Sequence, residues 1–293
     1  MDSTNEANRA RAKETREKLE RIPEIPTLPA VLIKIWDLTS KSETSASDLA
    51  KAMGSDPGLT GAVLRLANSA YFGFPRKVST VTQAIVVLGF ETVKSLATGA
   101  SVFRALNARG GDGLDPRSFF HHSLVTAMAA RVLVERSSPQ KAGTAFSAGI
   151  LHDLGKLVIA EFLPEACGPI HESLAAGRSL EEAETAALGM THSEIGAWFT
   201  GRWNFPEELA ATVRWHHEPA EPKEHREYVA AVHLGDIIAY RTGAPGTDRV
   251  AAPEPHAAAL QELAVDETAL EEIANVVAGM ITDPRQAGLT LDA

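Results

Sequence analysis

The sequence predicts an all-α protein, and three features support that fold class. Apolar residues recur at helical spacing through nearly every segment of the 293-residue chain. No segment shows the strict alternation of apolar and polar residues that is typical of a half-buried strand. Helix start signals are frequent, such as Asp56 before Pro57 and Asp115 before Pro116. The composition, 44% hydrophobic and 23% charged, is that of an ordinary globular protein, and the length suggests about two domains.

The first third of the chain is predicted to hold a leading helix followed by several short helices. Residues 5–21 are highly charged with a sparse apolar stripe, which is typical of a solvated helix. Three prolines in IPEIPTLP then interrupt the chain, and helical spacing resumes from Ala30 to Leu38. SDPGLTGAVLRLANSA continues this pattern. STVTQAIVVLGFETVKSLATGASVF predicts two short helices with a hinge near Gly89.

A glycine-rich break, NARGGDGLDP, separates this part from a second helical part that holds most of the histidines. Helical patterns resume over 117–136 and 140–162. Thr191 and Glu194 form a capping-box pattern, which places His192 in the first turn of a helix.

The remaining chain predicts two more helices with a linker between them. HREYVAAVHLGDIIAYR has helical spacing, TGAPGTDRVAAPEPHA reads as a linker, and 266–280 predicts an amphipathic helix. These breaks divide the chain into four predicted parts: a leading helix (1–22), an N-terminal helical lobe (23–106), a helical bundle (107–242), and a linker with a C-terminal helix (243–293).

The net charge and the cysteine content restrict the classes of function and the cellular compartments that fit this chain. A formal net charge of -10 argues against a nucleic-acid-binding groove as the main function. Cys167 is the only cysteine, so no intramolecular disulfide can form, which fits a reducing cytosol. The N-terminal sequence has no apolar core of a signal peptide, and no run of about 18 apolar residues occurs. We therefore expect a cytoplasmic protein that binds neither membrane nor nucleic acid.

Most of the ten histidines lie between residues 121 and 233, with His152 directly before Asp153 and His233 three residues before Asp236. Imidazole nitrogen and carboxylate oxygen together suit zinc, iron, manganese or nickel, and without thiolates a closed structural zinc site is not expected. Residues this far apart can share one site only if several helices converge, as in metal-binding bundles. The alternative is that each histidine is a hydrogen-bonded core residue. His171, His225 and His256 lie in polar stretches and are expected at the surface.

The stretch LHDLGK resembles the signature of the HD superfamily of metal-dependent phosphohydrolases. In that pattern a first histidine on one helix is followed by a His-Asp pair and by a later aspartate. The matching residues are His122, His152, Asp153 and Asp236. His122 is preferred to His121 because the first ligand of the family is commonly followed by serine.

The rest of the chain narrows the resemblance to the HDOD family, the HD-related output domains of bacterial signalling proteins. LPAVLIKIWDL, DPGLTGAVLRLANSAYFGFPRKVSTVTQAIVVLGFETVKSLA and WHHEP carry this likeness, which covers roughly 23–242. The resemblance implies an all-helical fold with an N-terminal helical lobe packed on an HD-like bundle. It also implies a role in signalling, without an agreed biochemical activity.

Three further histidines, His192, His216 and His217, are similar to those of the two-metal site in the HD-GYP branch, which cleaves cyclic di-GMP. That comparison implies one or two divalent transition-metal ions, with Asp153 as a bridging ligand. Lys156, one turn after His152, could hold a substrate phosphate or point to solvent.

Two departures weaken the comparison with the HD-GYP branch. Ser118 stands where those proteins can supply a carboxylate, and the Gly-Tyr-Pro motif is missing after His216-His217-Glu218. Cleavage of cyclic di-GMP is therefore not expected.

Three hypotheses follow for the histidine-rich part. In the first, it is a metal-dependent phosphohydrolase acting on a nucleotide, with Asp153 and Lys156 in catalysis. In the second, it is a non-catalytic signalling module, whose pocket holds a metal or a small nucleotide ligand and biases contact with a partner protein. In the third, the histidines form a buried hydrogen-bonded network without metal.

The second hypothesis needs a partner surface, for which NSAYFGFPRKVST is the candidate. Its aromatic residues and arginine, Tyr71, Phe72, Phe74 and Arg76, are types that interfaces favour. The alternative is that these aromatic residues anchor the loop between two helices.

Overall fold

The computed structural model describes residues 2–22, 29–39, 44–68, 72, 74, 76–106, 114–246 and 252–280, and all regular elements within these ranges are helices. The predicted all-α class is therefore confirmed. The N-terminal helices are α1 (Asp2–Glu20), α2 (Ala30–Thr39), α3 (Ala46–Gly54), α4 (Pro57–Ala67), α5 (Val81–Leu88) and α6 (Phe90–Ala105).

The start signals read from the sequence act as predicted in the N-terminal lobe. Asp56 caps α4 by accepting a hydrogen bond from the Leu59 N–H, and Pro57 occupies the first helical position. Arg104 of α6 donates to both carboxylate oxygens of Asp56, each over 3.1 Å, and so ties the start of α4 to α6. Gly89 separates α5 from α6 with a φ of 85°, a backbone conformation that favours glycine, so the predicted hinge is confirmed.

Helix α6 connects the N-terminal lobe to the histidine-rich part. Eleven of its residues, from Thr92 to Phe103, are buried, and one of its faces packs on the helix that leads to His152. There the hydroxyl groups of Ser95 and Ser147 lie 2.6 Å apart. Because the apolar core continues through this contact, the two lobes share one hydrophobic interior. The four-part division of the chain remains a prediction.

The histidine-rich part continues with α7 (Pro116–Glu135), α8 (Ala142–Leu151), α9 (Leu154–Phe162), α10 (Cys167–Ala175), α11 (Leu180–Leu188), α12 (His192–Arg202), α13 (Glu207–Trp215) and α14 (Arg226–Arg241). Helices α7, α8 and α14 form its packed centre. Asp115 caps α7 through the N–H groups of Arg117 and Ser118, as its sequence predicts.

The prediction of one helix over 140–162 is wrong. A turn at His152 and Asp153 divides this segment into α8 and α9. Two glycines allow the closely packed helices on either side of this turn. A Cβ on Gly149 would lie 2.4 Å from the Ala127 Cα, and a Cβ on Gly155 would lie 1.8 Å from the His192 carbonyl oxygen. The segment therefore bends because its two halves pack on different helices, which apolar periodicity alone does not reveal.

The C-terminal segment packs back on the bundle. The predicted final helix is found as α16 (Glu267–Met280), which contacts α7 and α14. A short helix that the sequence pattern missed, α15 (Ala257–Glu262), begins at the last residue of the predicted linker and packs on α14. Within the described ranges, the helices lack the combination of length and apolarity that a membrane span requires.

Candidate metal centre

Five structural elements bring the predicted ligands to one buried place in the bundle. His122 lies on α7, His152 and Asp153 form the turn before α9, and His192 begins α12. His216 and His217 directly follow α13, and Asp236 lies on α14. The convergence that the sequence requires is therefore present.

The first group of ligand atoms surrounds one oxygen of Asp153. Its Oδ2 lies 3.3 Å from Nε2 of His152 and 3.7 Å from Nε2 of His122. Nε2 of His122 also lies 3.1 Å from Oδ1 of Asp236. These side chains are almost inaccessible to solvent, with exposures of 1% to 6%. The four residues of the minimal HD pattern thus form one cluster.

The second group surrounds the other oxygen of the same aspartate. Oδ1 of Asp153 lies 3.5 Å from Nε2 of His192 and 3.6 Å from Nε2 of His216. Nε2 of His192 is 3.0 Å from Nε2 of His217 and 3.3 Å from Nε2 of His216. Asp153 therefore presents one carboxylate oxygen to each group, which is the arrangement of a ligand that bridges two ions.

Four of the histidines are oriented by acceptors behind them. Nδ1 of His122 faces the Ala244 carbonyl at 2.9 Å, and Nδ1 of His152 faces the Gly149 carbonyl at 2.8 Å. Nδ1 of His216 faces the Val213 carbonyl at 3.1 Å, and Nδ1 of His192 faces the Glu184 carboxylate at 2.8 Å. A carbonyl accepts only from a protonated Nδ1, so each Nε2 is left with its lone pair toward the centre. Such outer contacts are the rule for histidines that ligate metals.

The separations within both groups fit a shared cation better than a hydrogen-bonded network. Two ligands about 2.1 Å from one ion lie about 3.0 Å apart at a right angle and about 3.4 Å apart at a tetrahedral angle. Nε2 of His192 and Nε2 of His216 lie 3.3 Å apart, and these two lone pairs have no proton to share when the Nδ1 atoms carry the protons. Three buried atoms, Nε2 of His122, Nε2 of His152 and Oδ1 of Asp153, have no hydrogen-bond partner among the described residues. The residues present therefore fit a divalent transition metal.

The electrostatics of the centre favour ionised aspartates and keep one histidine neutral. Burial raises the pKa of Asp153, but the charges of His152 and Lys156 outweigh it and hold that pKa well below its usual range. Burial likewise opposes ionisation of Asp236, but His122 beside it lowers the pKa of that carboxyl. Burial lowers the pKa of His216 to about 4. Ligation needs charged carboxylates and neutral imidazoles, so the low pKa values of the two aspartates and of His216 favour metal binding, whereas the pKa of His122, which Asp236 raises against burial, opposes it.

Lys156 does not point into solvent. Its Nζ lies 2.7 Å from Oδ2 of Asp153, and its side chain is 10% exposed. The ammonium group is therefore held at the edge of the first ligand group, where it neutralises part of the Asp153 charge.

A carboxylate that the sequence analysis missed supports the second group. Glu184 of α11 is 2% exposed and accepts hydrogen bonds from both the backbone N–H and Nδ1 of His192, each over 2.8 Å. Burial lowers the pKa of His192, but the Glu184 charge outweighs it and leaves that pKa raised. A signal was available in α11, because Glu184 occupies the helical face that also carries Leu180, Ala183 and Leu188.

The other histidines lie outside the two groups. His121 is buried next to His122, but its Nε2 has no hydrogen-bond partner among the described residues, and burial lowers its pKa. His171 and His256 are exposed and His225 is partly buried. His233 donates from Nδ1 to the His216 carbonyl over 2.8 Å, so it stands behind the second group.

The candidate partner surface is only partly described. Tyr71 lies outside the described residues. Phe72 and Phe74 stack with ring centroids 6.4 Å apart and pack against the core, whereas Arg76 is exposed. This packing supports the loop-anchoring alternative for the two phenylalanines.

Comparisons with known proteins agree with the fold. One relative, an uncharacterized protein of Treponema pallidum (strain Nichols), is 27% identical over 70% of this chain, and this chain spans only 40% of the relative's length.

Two solved structures share the fold. A protein of Marinobacter aquaeolei VT8, provisionally named a signal transduction protein, is 26% identical with a TM-score of 0.76, over 94% of this chain and 66% of its own. A protein of Shewanella amazonensis SB2B, provisionally named a phosphohydrolase, is 24% identical with a TM-score of 0.72, over 92% of this chain and 96% of its own. The HDOD domain model matches residues 25–219, two thirds of the chain. The chain therefore belongs to the HDOD domain family.

Proposed function

We propose that this protein is a signal-transduction output module whose HD pocket binds one or two divalent transition-metal ions. The observation that carries the proposal is Asp153, whose two oxygens each face a separate group of histidine nitrogens. Iron, manganese, zinc and nickel suit these nitrogen and oxygen ligands. The name of the Marinobacter relative supports the signalling role.

In this proposal the pocket acts through binding. The ligands come from α7, the turn before α9, α12, the end of α13 and α14, so an ion would fix the relative positions of helices that are distant in sequence. A metal or small nucleotide ligand would then bias the surface offered to a partner protein, by favouring one arrangement of these helices. The compartment we expect for this activity is the cytoplasm.

The second candidate is a metal-dependent phosphohydrolase, which the bridging position of Asp153 favours. Bound metal would supply Lewis-acid polarisation of a phosphate oxygen. The chain itself would orient the histidines through their Nδ1 contacts and keep bulk water away by burial. Lys156 is already paired with Asp153, and the Gly-Tyr-Pro motif is absent, so we expect slow hydrolysis of generic phosphoesters at most.

Elemental analysis of protein purified without an affinity tag tests the metal proposal. We expect about one or two ions per chain, and a sharp loss in Asp153→Ala because both groups lose a ligand. His171→Ala is the matched control, since this exposed histidine lies outside both groups. Wild-type protein that stays metal-free after incubation with iron, manganese, zinc and nickel would contradict the proposal.

A screen of nucleotides and generic phosphoesters with metal-loaded protein separates the two candidates. Rapid turnover that Asp153→Ala abolishes would favour the enzyme. Metal content without turnover would favour the binding module.

A further inference from the structure

A cleft of about 810 Å³ opens beside the second ligand group. Its lining includes the turn between α10 and α11 and the segment from Pro253 to Ala257, which we call the strap. His217 and His233 also line the cleft. A volume of this size is within the range of small-molecule sites, which is about 300 to 1,000 Å³.

The cleft reaches the candidate metal centre at His217. The side chain of His217 is 15% exposed, whereas those of His192 and His216 are fully buried. A molecule in the cleft would therefore meet the centre at the edge of the second group.

The strap is tied to the centre through one histidine. The backbone N–H of His256 donates to Nε2 of His233 over 3.0 Å, and Nδ1 of His233 donates to the His216 carbonyl over 2.8 Å. His233 thus spans from the strap to a candidate ligand. The strap lies beyond residue 219, where the family match ends, so this part of the lining is not part of the matched domain.

The lining combines an apolar surface with a few charged groups. Leu174, Leu180, Pro253 and Pro255 offer apolar surface from both segments of the lining, and such surface packs against rings. The Glu254 carboxylate is an acceptor for ring or sugar N–H and O–H groups, whereas Oε1 of Glu181 faces Nδ1 of His217 at 3.6 Å.

The charged side chains of the lining determine whether an anion can bind in the cleft. The exposed Arg178 guanidinium lines the cleft and has no carboxylate partner among the described residues. One arginine beside two glutamates does not attract an anion by itself, so an anionic ligand would need the positive charge of bound metal.

We propose that this cleft binds a nucleoside monophosphate, with its base against the apolar part of the lining and its phosphate toward His217 and Arg178. The inference rests on the proposed function, because the phosphate requires a metal-loaded centre. It adds the ligand class, and it assigns the strap as the part of the lining that selects the ligand.

Calorimetric titration of the metal-loaded full chain tests the proposal with AMP, GMP, CMP, UMP and inorganic phosphate. We expect at least one nucleotide to bind ten times or more tightly than inorganic phosphate, and to lose binding when the metal is removed with a chelator. Arg178→Gln should weaken nucleotide binding at least tenfold, because the guanidinium is lost. Ala257→Trp should weaken nucleotide binding similarly by filling the cleft, and should leave phosphate binding unchanged.

The controls separate ligand binding from folding and from metal binding. Arg202→Gln is the matched control, because Arg202 packs over the Trp198 ring and does not line the cleft. Every variant should keep the wild-type metal content and unfolding midpoint. Metal-loaded protein that binds none of the four nucleotides would overturn this inference and leave the metal proposal standing. Equal affinities for phosphate and nucleotides would indicate an anion site only and overturn the ligand class. A chain that takes up no metal would overturn both.

Discussion

Glu184 illustrates how a single residue outside the ligand set can determine the chemistry of the centre. It is a buried carboxylate, and burying an unpaired charge is costly. Its two contacts with His192 satisfy that charge and fix the imidazole with Nε2 toward Asp153. Glu184 is therefore a positioning residue for the second group.

We predict that Glu184→Gln weakens metal binding at the second group by about 10- to 100-fold, the usual effect of losing an outer carboxylate. The amide can still accept from the backbone N–H of His192, but it no longer supports the imidazole with a negative charge. Metal titration should show one weakened site per chain and one of nearly wild-type affinity. Glu172→Gln, at an exposed position of α10, is the control. Equal weakening of both sites would contradict the division into two groups.

At the scale of single residues, the candidate ligands are easier to predict from the sequence than the residues that orient them. His152 and Asp153 are predicted by the local stretch LHDLGK and His122 by the family resemblance, and the structure brings the three together. Glu184 lies eight residues before the histidine it orients, in a stretch that reads as an ordinary charged helix. Its contact depends on how α11 meets α12, which is a property of packing.

At the scale of elements, the turn at His152 and Asp153 decides the geometry of the site. If 140–162 were one helix, His152 and Asp153 would point about 100° apart from a straight axis. The turn instead lets α8 pack on α7 while α9 packs on α12. Caps at Asp56, Asp115 and Thr191 were predictable because side-chain type and spacing define them locally. The turn at His152 and Asp153 was not predictable from the sequence, because it results from the packing of α8 on α7 and of α9 on α12.

We predict that Gly155→Ala destabilises the protein, because the new methyl group would meet the His192 backbone. Overpacking typically costs about 1–3 kcal/mol, occasionally more. Each kcal/mol lowers the melting temperature by about 2–4 °C in domains of roughly 150 to 250 residues. Thermal unfolding should therefore show a loss of several degrees, with weaker metal binding because His192 shifts.

The matched control for this change is Gly201→Ala on the same helix as His192. A Cβ at Gly201 meets nothing within 4 Å, so alanine should be neutral or slightly stabilising. If Gly155→Ala were as stable as Gly201→Ala, the close approach of α9 to α12 would be refuted.

At the scale of the whole molecule, the N-terminal lobe and the histidine-rich part share one interior. Trp36 of α2 illustrates this, because its ring meets Phe205 edge-on at 5.0 Å and its Nε1 donates to Thr98 over 3.2 Å. A Cβ on Gly99 of α6 would lie 2.5 Å from Ile150, two residues before His152. The sequence break at 107–116 suggests separable lobes, but the packing around α6 joins them. Periodicity shows which face of a helix is apolar and does not show which partner covers it.

Because the two parts share one interior, we predict a single cooperative unfolding transition. Bound metal should raise the temperature of that whole transition. A ligand that binds only the folded state at 100 times its dissociation constant stabilises that state by about 2.7 kcal/mol per site. Scanning calorimetry should therefore show one transition, several degrees higher with saturating metal than with a chelator. Asp153→Ala should abolish the shift, because both groups lose their common ligand. Two transitions, of which only one responded to metal, would show that the N-terminal lobe unfolds independently, and the contacts of α6 with α8 would then not couple the lobes.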